Sequence, residues 1–427
     1  MKILVLNRDI IFDQVTRGLE ANGHEVTAHG KKDDYKLPLG ELLRLLGSVQ
    51  PDFCLLRNRR VLDRGFNPHG PQIESYLQAN HVPHVSWFTE NPLSCGTADS
   101  TSYFYLRGHR SCLNLTFSEE STATLQAMGH RAEYLPIAVS PDIFRPPEGP
   151  APEYAYDVSF IGRPKMGLPG QCSPDRLGAA TLPHLLSRCR SALEFFSGQI
   201  CRSLGEGSLR TLERTPSVTL DTFDEIAGTY RRHLEAYLVN PLEAGFMVVA
   251  ARLGMIKVLR WLVDAGIPIK LFGGDEWRQF FPGEQETPII SYEDQPTVYA
   301  RSRINLVLSK LELRDVAHER ILNIAACKAF SLAEHRPAIR RLFSEEEVPT
   351  FRDRTELVEL CRYYLDHNTL RQEMAARAYE RVMRDHTFTV RMGRMAEIVS
   401  AFLRKQEAKQ PGAESVQDEE YQLAQCQ

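Results

Sequence analysis

The sequence has no long apolar run, no paired cysteines and little net charge of either sign. Each absence removes a class of protein. A membrane-spanning helix needs about 20 largely apolar residues. The longest candidate, Phe246 to Val263, is interrupted by Arg252, Lys257 and Arg260. The apolar start, Met1 to Leu6, meets Arg8 and Asp9 at once and lacks the core of a signal peptide. The nine cysteines are scattered, odd in number and without a C-x-x-C pair. That pattern points to reduced thiols in a cytoplasmic protein, with neither a disulfide framework nor a zinc site. A formal net charge of −4 gives no reason to expect nucleic acid or an acidic membrane as partner. The local cluster Arg57-Asn58-Arg59-Arg60 could still meet phosphates, against the simpler reading of a solvated charged turn. The first strand-to-helix turn, Asn7-Arg8-Asp9-Ile10, carries no G-x-G-x-x-G, so a dehydrogenase-type dinucleotide fold is unsupported.

What is present describes a globular α/β protein. The chain has 427 residues, 43% hydrophobic and 25% charged, enough for two or three domains. Lys2 to Leu6, His24 to Ala28 and Pro51 to Leu56 are short strands separated by helices over 13–22 and 40–49. Continuous apolar strands of this kind belong to parallel sheets covered on both faces. A helix at 72–78 leads to strand His84 to Phe88, and Thr89-Glu90-Asn91-Pro92 follows as a loop, because Pro92 turns Asn91 away from helix. Leu113 to Phe117 is a strand, Ser118 caps the next helix, and Ala132 to Ile137 is another strand. Loops at strand carboxyl ends form the cleft in such sheets, so Asn7, Asp9, Arg57 and Glu90 are candidate cleft residues. Pro146 to Pro152 is proline-rich enough to be a semi-rigid linker between domains spanning 1–147 and 153–388.

The second half repeats the theme. Tyr156 to Ile161 is a strand followed by Gly162 and Arg163. Residues 164–251 are loop and then mostly helix, longer than a plain crossover needs. They are read as covering one side of the cleft or contacting a second copy. A helix over 253–264 precedes strand 268–272 and the pair Gly273-Gly274, which would let backbone approach a ligand closely. Tyr292 to Ala300 is a short helix and 304–308 a strand. Later helices are expected over 337–343, over 356–365 with Thr355 as cap, and over 368–383. A last helix runs from 389 to 405, and 406–427 is polar, acidic and aperiodic, the composition of a disordered tail.

The most informative stretch is His318 to Glu334, HERILNIAACKAFSLAE. It forms a short helix with an apolar side, then a buried strand. Arg320 and Asn323, three apart, share a face. A helix N-terminus with free N–H groups beside an arginine suits a diphosphate. An ordinary amphipathic helix with Arg320 in water is the competing reading.

This segment resembles the donor-site signature of GT-B glycosyltransferases, most closely the CgeB-like branch, where R-x-x-E-x-x-A-C-G precedes an apolar strand. Asn323 stands where that signature carries glutamate, and Lys328 where it carries glycine. Asp315 occupies the place of a second acid eight residues earlier. The run WFTENP, the segment from Leu135 to Pro146 and the run from His386 to Arg391 are similar to other parts of the same family. The resemblance implies two Rossmann-like domains facing across a cleft, with the last helix crossing back to the first domain. It implies a sugar moved from a nucleotide diphosphate donor to a protein, glycan or small-molecule acceptor. On that reading Glu90 is a general base or an acceptor-orienting carboxylate, and Asn7, Asp9 and Arg57 contact the acceptor. Gly162, Arg163, Gly273, Gly274, Tyr292, Asp315, Arg320 and Asn323 hold the donor. His386 is structural. No metal or other cofactor is expected, in keeping with the absence of a D-x-D motif. The departures at Asn323 and Lys328 leave a catalytically weak sugar-nucleotide or glycan binder as the alternative.

Overall fold

The computed structural model describes residues 1–30, 34–62, 67–90, 111–127, 129–149, 153–164, 254–284, 286–309 and 315–407. Two parallel sheets form, each covered by helices. The first contains β1 (Lys2–Val5), β2 (Glu25–Ala28), β3 (Phe53–Arg57), β4 (His84–Phe88), β5 (Cys112–Thr116) and β6 (Ala132–Tyr134), in the order β2-β1-β3-β4-β5-β6. The helices between them are α1 (Ile10–Ala21), α2 (Leu39–Val49), α3 (Gly70–Ala79) and α4 (Glu119–Ala127). The inner strands β4 and β5 are buried at every residue, as expected for a sheet with two covered faces. Helix α1 starts earlier than its apolar pattern suggests because Asp9 caps it, accepting the N–H groups of Ile11 and Phe12.

The second sheet holds β7 (Tyr156–Ile161), β8 (Ile269–Phe272), β9 (Ser302–Val307), β10 (Ser331–Glu334) and β11 (Thr350–Phe351), in the order β11-β10-β9-β7-β8. Its helices are α5 (residues 254–264), α6 (Gln295–Ala300), α7 (Arg320–Ala326), α8 (Pro337–Leu342), α9 (Arg354–Asp366) and α10 (Asn368–Asp385). Helix α6 is shorter than expected and leaves Tyr292 in the preceding turn. Helix α9 is capped by Asp353, whose carboxylate accepts the Glu356 N–H, and Thr355 lies inside it. Most of the 164–251 segment and residues 408–427 lie outside the described residues, so the readings made there are not addressed by the fold.

Two features join the domains. The segment after β6 runs into the second domain, where Ile137, Val139 and Phe144 enter the core built by β7, β9 and α7. Phe144 meets Tyr292 edge-on at 4.9 Å between ring centroids. Val139 also pairs with the turn before the last helix, donating to His386 and accepting from Phe388. That last helix, α11 (Phe388–Glu407), returns to the first domain and packs along α1. Met392, Met395, Val399 and Phe402 join the first-domain core with Val15, Leu19 and Trp87. The seam is tight at Gly18, where an added Cβ would lie 2.8 Å from Met392 Cγ and 2.9 Å from the Phe388 carbonyl oxygen. His386 is buried in this joint, hydrogen-bonded to the Leu342 carbonyl at 3.3 Å and to Arg391 at 3.1 Å, which is the structural role expected of it.

Candidate functional site

Parallel sheets of this kind bind ligands outside the carboxyl ends of their strands, at the point where strand order reverses. In the first sheet that point lies between β1 and β3, and in the second between β7 and β9. The turns there begin with Asn7 after β1, with Arg57 closing β3, and with Gly162 and Arg163 after β7. Topology therefore brings together residues distant in sequence, along two edges.

At the first edge the polar residues mostly serve one another. Arg57 reaches both Asp9 and Thr89, the latter with Nε donating to Oγ1 at 3.0 Å. Asn7 is fully buried and its Oδ1 accepts the Arg57 backbone N–H at 2.7 Å. The ligand role expected of Asp9 is corrected by this geometry. One carboxylate oxygen caps α1 and the other meets Arg57, so neither is open. The basic cluster around Arg59 also divides. Arg59 forms a buried pair with Glu74, whereas Arg60 turns to Glu90 at 3.3 Å and to the Tyr35 hydroxyl at 2.9 Å. Glu90 is the last residue described before 91–110. Its side chain is 50% exposed, so it can meet a diffusing acceptor.

At the second edge the glycines have a reason other than a ligand. Gly273 has φ 137°, and a Cβ there would lie 1.8 Å from the Gly162 carbonyl oxygen. The two turns press backbone on backbone. Gly162 donates to Phe272, Gly273 to Pro288 and Gly274 to Thr287, while Trp277 Nε1 donates to the Gly162 carbonyl at 2.8 Å. The expected close approach to a ligand is thus, at Gly162, Gly273 and Gly274, a close approach within the protein.

Helix α7 departs from expectation in a similar way. It has seven residues, and its first turn leaves no donor free. Arg320 N–H meets His318 Nδ1 at 3.2 Å, Ile321 donates to the His318 carbonyl, and Leu322 and Asn323 donate to that of Glu319. Any anion held here is held by side chains. Arg320 is the one suited to it: half-buried, it makes no ion pair with a carboxylate among the described residues. Its guanidinium carbon lies 6.0 Å from the ring centroid of Phe160 on β7, with the Tyr299 hydroxyl nearby. Tyr299 is fixed in turn by donating to Gln295 at 2.7 Å. Arg163 is exposed two residues beyond β7 and likewise makes no ion pair among the described residues.

Asn323 is 2% exposed, lies beside Tyr292, and its Oδ1 has no partner. Burial pushes the Tyr292 phenol upward, as does the nearby Glu319. The ribose contact expected of Asn323 therefore meets an amide lying under Tyr292. Lys328 has a clear conformational meaning. At φ 52° it occupies the left-handed position after the helix. Ala329 donates to Ile324 and Lys328 to Ala325, the paired bonds of a Schellman motif. Glycine at this place in the family signature suits that backbone. Burial pushes the Cys327 thiol up to about 12, so it is inert packing.

The Asp315 carboxylate has partners within the protein. It meets Arg341 on α8 and the Glu120 N–H of the first domain, at 3.1 Å for the latter. Sequence reasoning missed Arg341, and the pairing of Arg60 with Glu90, because an arginine in a charged helix or turn gives no signal of its partner.

Comparison with known proteins gives the class. Residues 252–397 match the family described as "Glycosyl transferase-like". Among solved structures the chain is similar to sucrose-phosphate synthase from Thermosynechococcus elongatus, at 10% identity and a TM-score of 0.53, covering 94% of this chain and 99% of that one. It is also similar to Anabaena HepE in complex with UDP-glucose, at 10% identity and a TM-score of 0.51, covering 94% and 100%. No curated protein sequence matches it. The fold is GT-B, and the matched domain is that of a glycosyltransferase. No described helix is long and apolar enough to cross a membrane.

Proposed function

We propose that this glycosyltransferase holds a nucleoside diphosphate sugar on its second domain and an acceptor hydroxyl on its first, without a metal ion. The observation that carries the donor half is Arg320, a half-buried guanidinium against Phe160 of β7 that makes no ion pair with a carboxylate among the described residues. A diphosphate brings about two negative charges, and an arginine fork matches phosphate oxygens. Arg163, from the turn after β7, is the second cation. Developing charge on the leaving diphosphate is stabilised by fixed positive groups already in place. Uridine diphosphate is the first donor base to try, since HepE is similar in fold and was solved with UDP-glucose.

In the acceptor half, Glu90 takes the proton from the acceptor hydroxyl as its oxygen bonds to the anomeric carbon. The bond from that carbon to the diphosphate breaks, and the diphosphate leaves with the electron pair. Arg60, reaching Glu90 from β3's turn, orients the carboxylate. The CgeB-like branch is our placement within the GT-B enzymes, resting on the Arg320 to Lys328 run. Free Cys54, Cys112, Cys327 and Cys361 suit a reducing cytoplasm. A catalytically weak sugar-nucleotide binder is the second reading, favoured by the covered position of Asn323 beneath Tyr292.

Calorimetric titration of the full chain with UDP and with uridine tests the donor site. The proposal requires UDP to bind at least about tenfold more tightly, the scale of one charge-assisted phosphate contact. Equal affinities would refute it. Turnover unaffected by a chelator is the second requirement.

A further inference from the structure

Among the described residues, the two ligand-binding edges touch where Asp315 meets helix α4. Helix α4 begins at the carboxyl end of β5, on the acceptor edge, and Asp315 lies beyond the carboxyl end of β9, on the donor edge. Ser118 caps α4 from its own chain segment, its Oγ accepting the Ser121 N–H at 3.0 Å. That leaves the Glu120 N–H, in the same first turn, for another acceptor. Asp315 supplies it from the opposite domain, with Oδ2 3.1 Å from Glu120 N. The helix is thus capped twice, once in its own domain and once across the cleft, and the dipole favours both.

Arg341 completes the contact. It pairs with Asp315 in its own domain and with Glu119 of the first domain at 3.2 Å. The Tyr134 hydroxyl at the end of β6 lies near it. One guanidinium therefore sits between two carboxylates from different domains. Without it, Asp315 and Glu119 face each other as like charges, and the contact turns from attractive to repulsive. The Asp315 side chain is only 18% exposed and that of Arg341 30%, so solvent screens this less than an open surface pair.

We infer that Arg341 and Asp315 are positioning residues for sugar transfer: with Glu119 and Glu120 they form a clasp that sets the separation of the acceptor and donor edges. The inference rests on the glycosyltransferase reading only for its kinetic consequence. A reacting pair split between two domains reacts only when the domains are held in register, and a misplacement of about 1 Å costs roughly a hundredfold in rate. The donor domain's own phosphate contacts do not pass through the clasp. Loss of the clasp lowers kcat and leaves donor affinity alone.

The test uses the full chain with Arg341→Ala, Arg341→Lys and Asp315→Ala, and UDP as the binding probe. Hydrogen exchange by mass spectrometry on peptides covering Glu120 reads the clasp directly, in the absence of any substrate. The expected result is exchange at Glu120 faster by about tenfold or more in Arg341→Ala and Asp315→Ala, with partial recovery in Arg341→Lys. With a sugar nucleotide that the wild type turns over, kcat falls at least about tenfold in Arg341→Ala while the UDP dissociation constant stays within about twofold. Unchanged exchange at Glu120 in both alanine variants overturns the clasp. Loss of UDP affinity in proportion to kcat also overturns it, because Arg341 and Asp315 would then belong to the donor site. If the wild type turns over no sugar nucleotide, the transfer reading fails, and the exchange measurement still decides the clasp.

Discussion

Lowering the pH should destabilise the first domain through two buried histidines, by an amount the structure allows to be worked out. His84 opens β4 and His130 precedes β6, and both are almost wholly buried. Burial is the main force holding each imidazole down to about 4 from an ordinary value of 6.5. Arg59 adds to the effect at both, while at His84 the Val82 carbonyl and Glu74 oppose it. Both ring nitrogens of His130 and Nε2 of His84 lack partners. The unfolded chain binds these protons from about pH 6.5 downward, the folded chain only from about pH 4. Between the two the unfolded chain holds more protons, so stability falls as pH falls through that window. At pH 5 each histidine accounts for roughly 2 kcal/mol, rising to about 3 kcal/mol at or below pH 4. Urea unfolding of the wild type and of His84→Gln at pH 7.5 and pH 5 isolates the effect. His84→Gln lowers stability at both pH values, and the prediction concerns the slope alone. The variant should lose about 2 kcal/mol less than the wild type on going to pH 5. An identical pH dependence in the two proteins would refute the reasoning, since Glu74 and the other titrating groups are common to both.

Three other outcomes follow from single positions. Gly18→Val places a branched side chain where even a Cβ meets Met392 and the Phe388 carbonyl, and should destabilise by about 1–3 kcal/mol in urea melts. A variant as stable as the wild type would mean that α11 does not lie against α1. Lys328→Gly should raise stability by up to about 1 kcal/mol by relieving a left-handed non-glycine residue, and a loss in the same assay would contradict it. Glu90→Gln should reduce turnover by roughly a hundredfold with UDP affinity unchanged, the scale of a general base. Full activity would remove Glu90 from the chemistry.

The parts of the fold that sequence revealed are those set by local chemistry. Short apolar strands such as Val85 to Phe88 lie in fully buried sheet positions, and Ser118 caps α4 as its hydroxyl suggests. Long-range pairing was not legible. Asp9 looked like a residue at an open cleft because its sequence neighbours do not show Arg57 coming from β3 to meet it. Gly273 looked like a place for a ligand, yet the backbone it approaches is that of Gly162, over a hundred residues earlier. Asp315 was assigned to the donor by its spacing from Asn323. In the fold its carboxylate reaches the opposite domain. Arg320 was legible as the charged residue of its helix, and among the described residues it makes no ion pair with a carboxylate. An arginine without a carboxylate keeps its charge for a ligand, and the motif around it pointed the same way.

The central claim is transfer from a nucleoside diphosphate sugar, and the release of nucleoside diphosphate tests it most directly. The full chain, as wild type and as Arg320→Ala, is incubated with a panel of nucleotide sugars, uridine diphosphate sugars included, and liberated diphosphate is measured. Glycosyltransferases commonly show slow transfer to water when no acceptor is supplied (a general expectation for this chemistry), so an acceptor need not be known. The account predicts release from at least one donor, falling by roughly ten- to a hundredfold in Arg320→Ala as one charge-assisted phosphate contact is lost. No release from any donor, or release that Arg320→Ala leaves untouched, would contradict it.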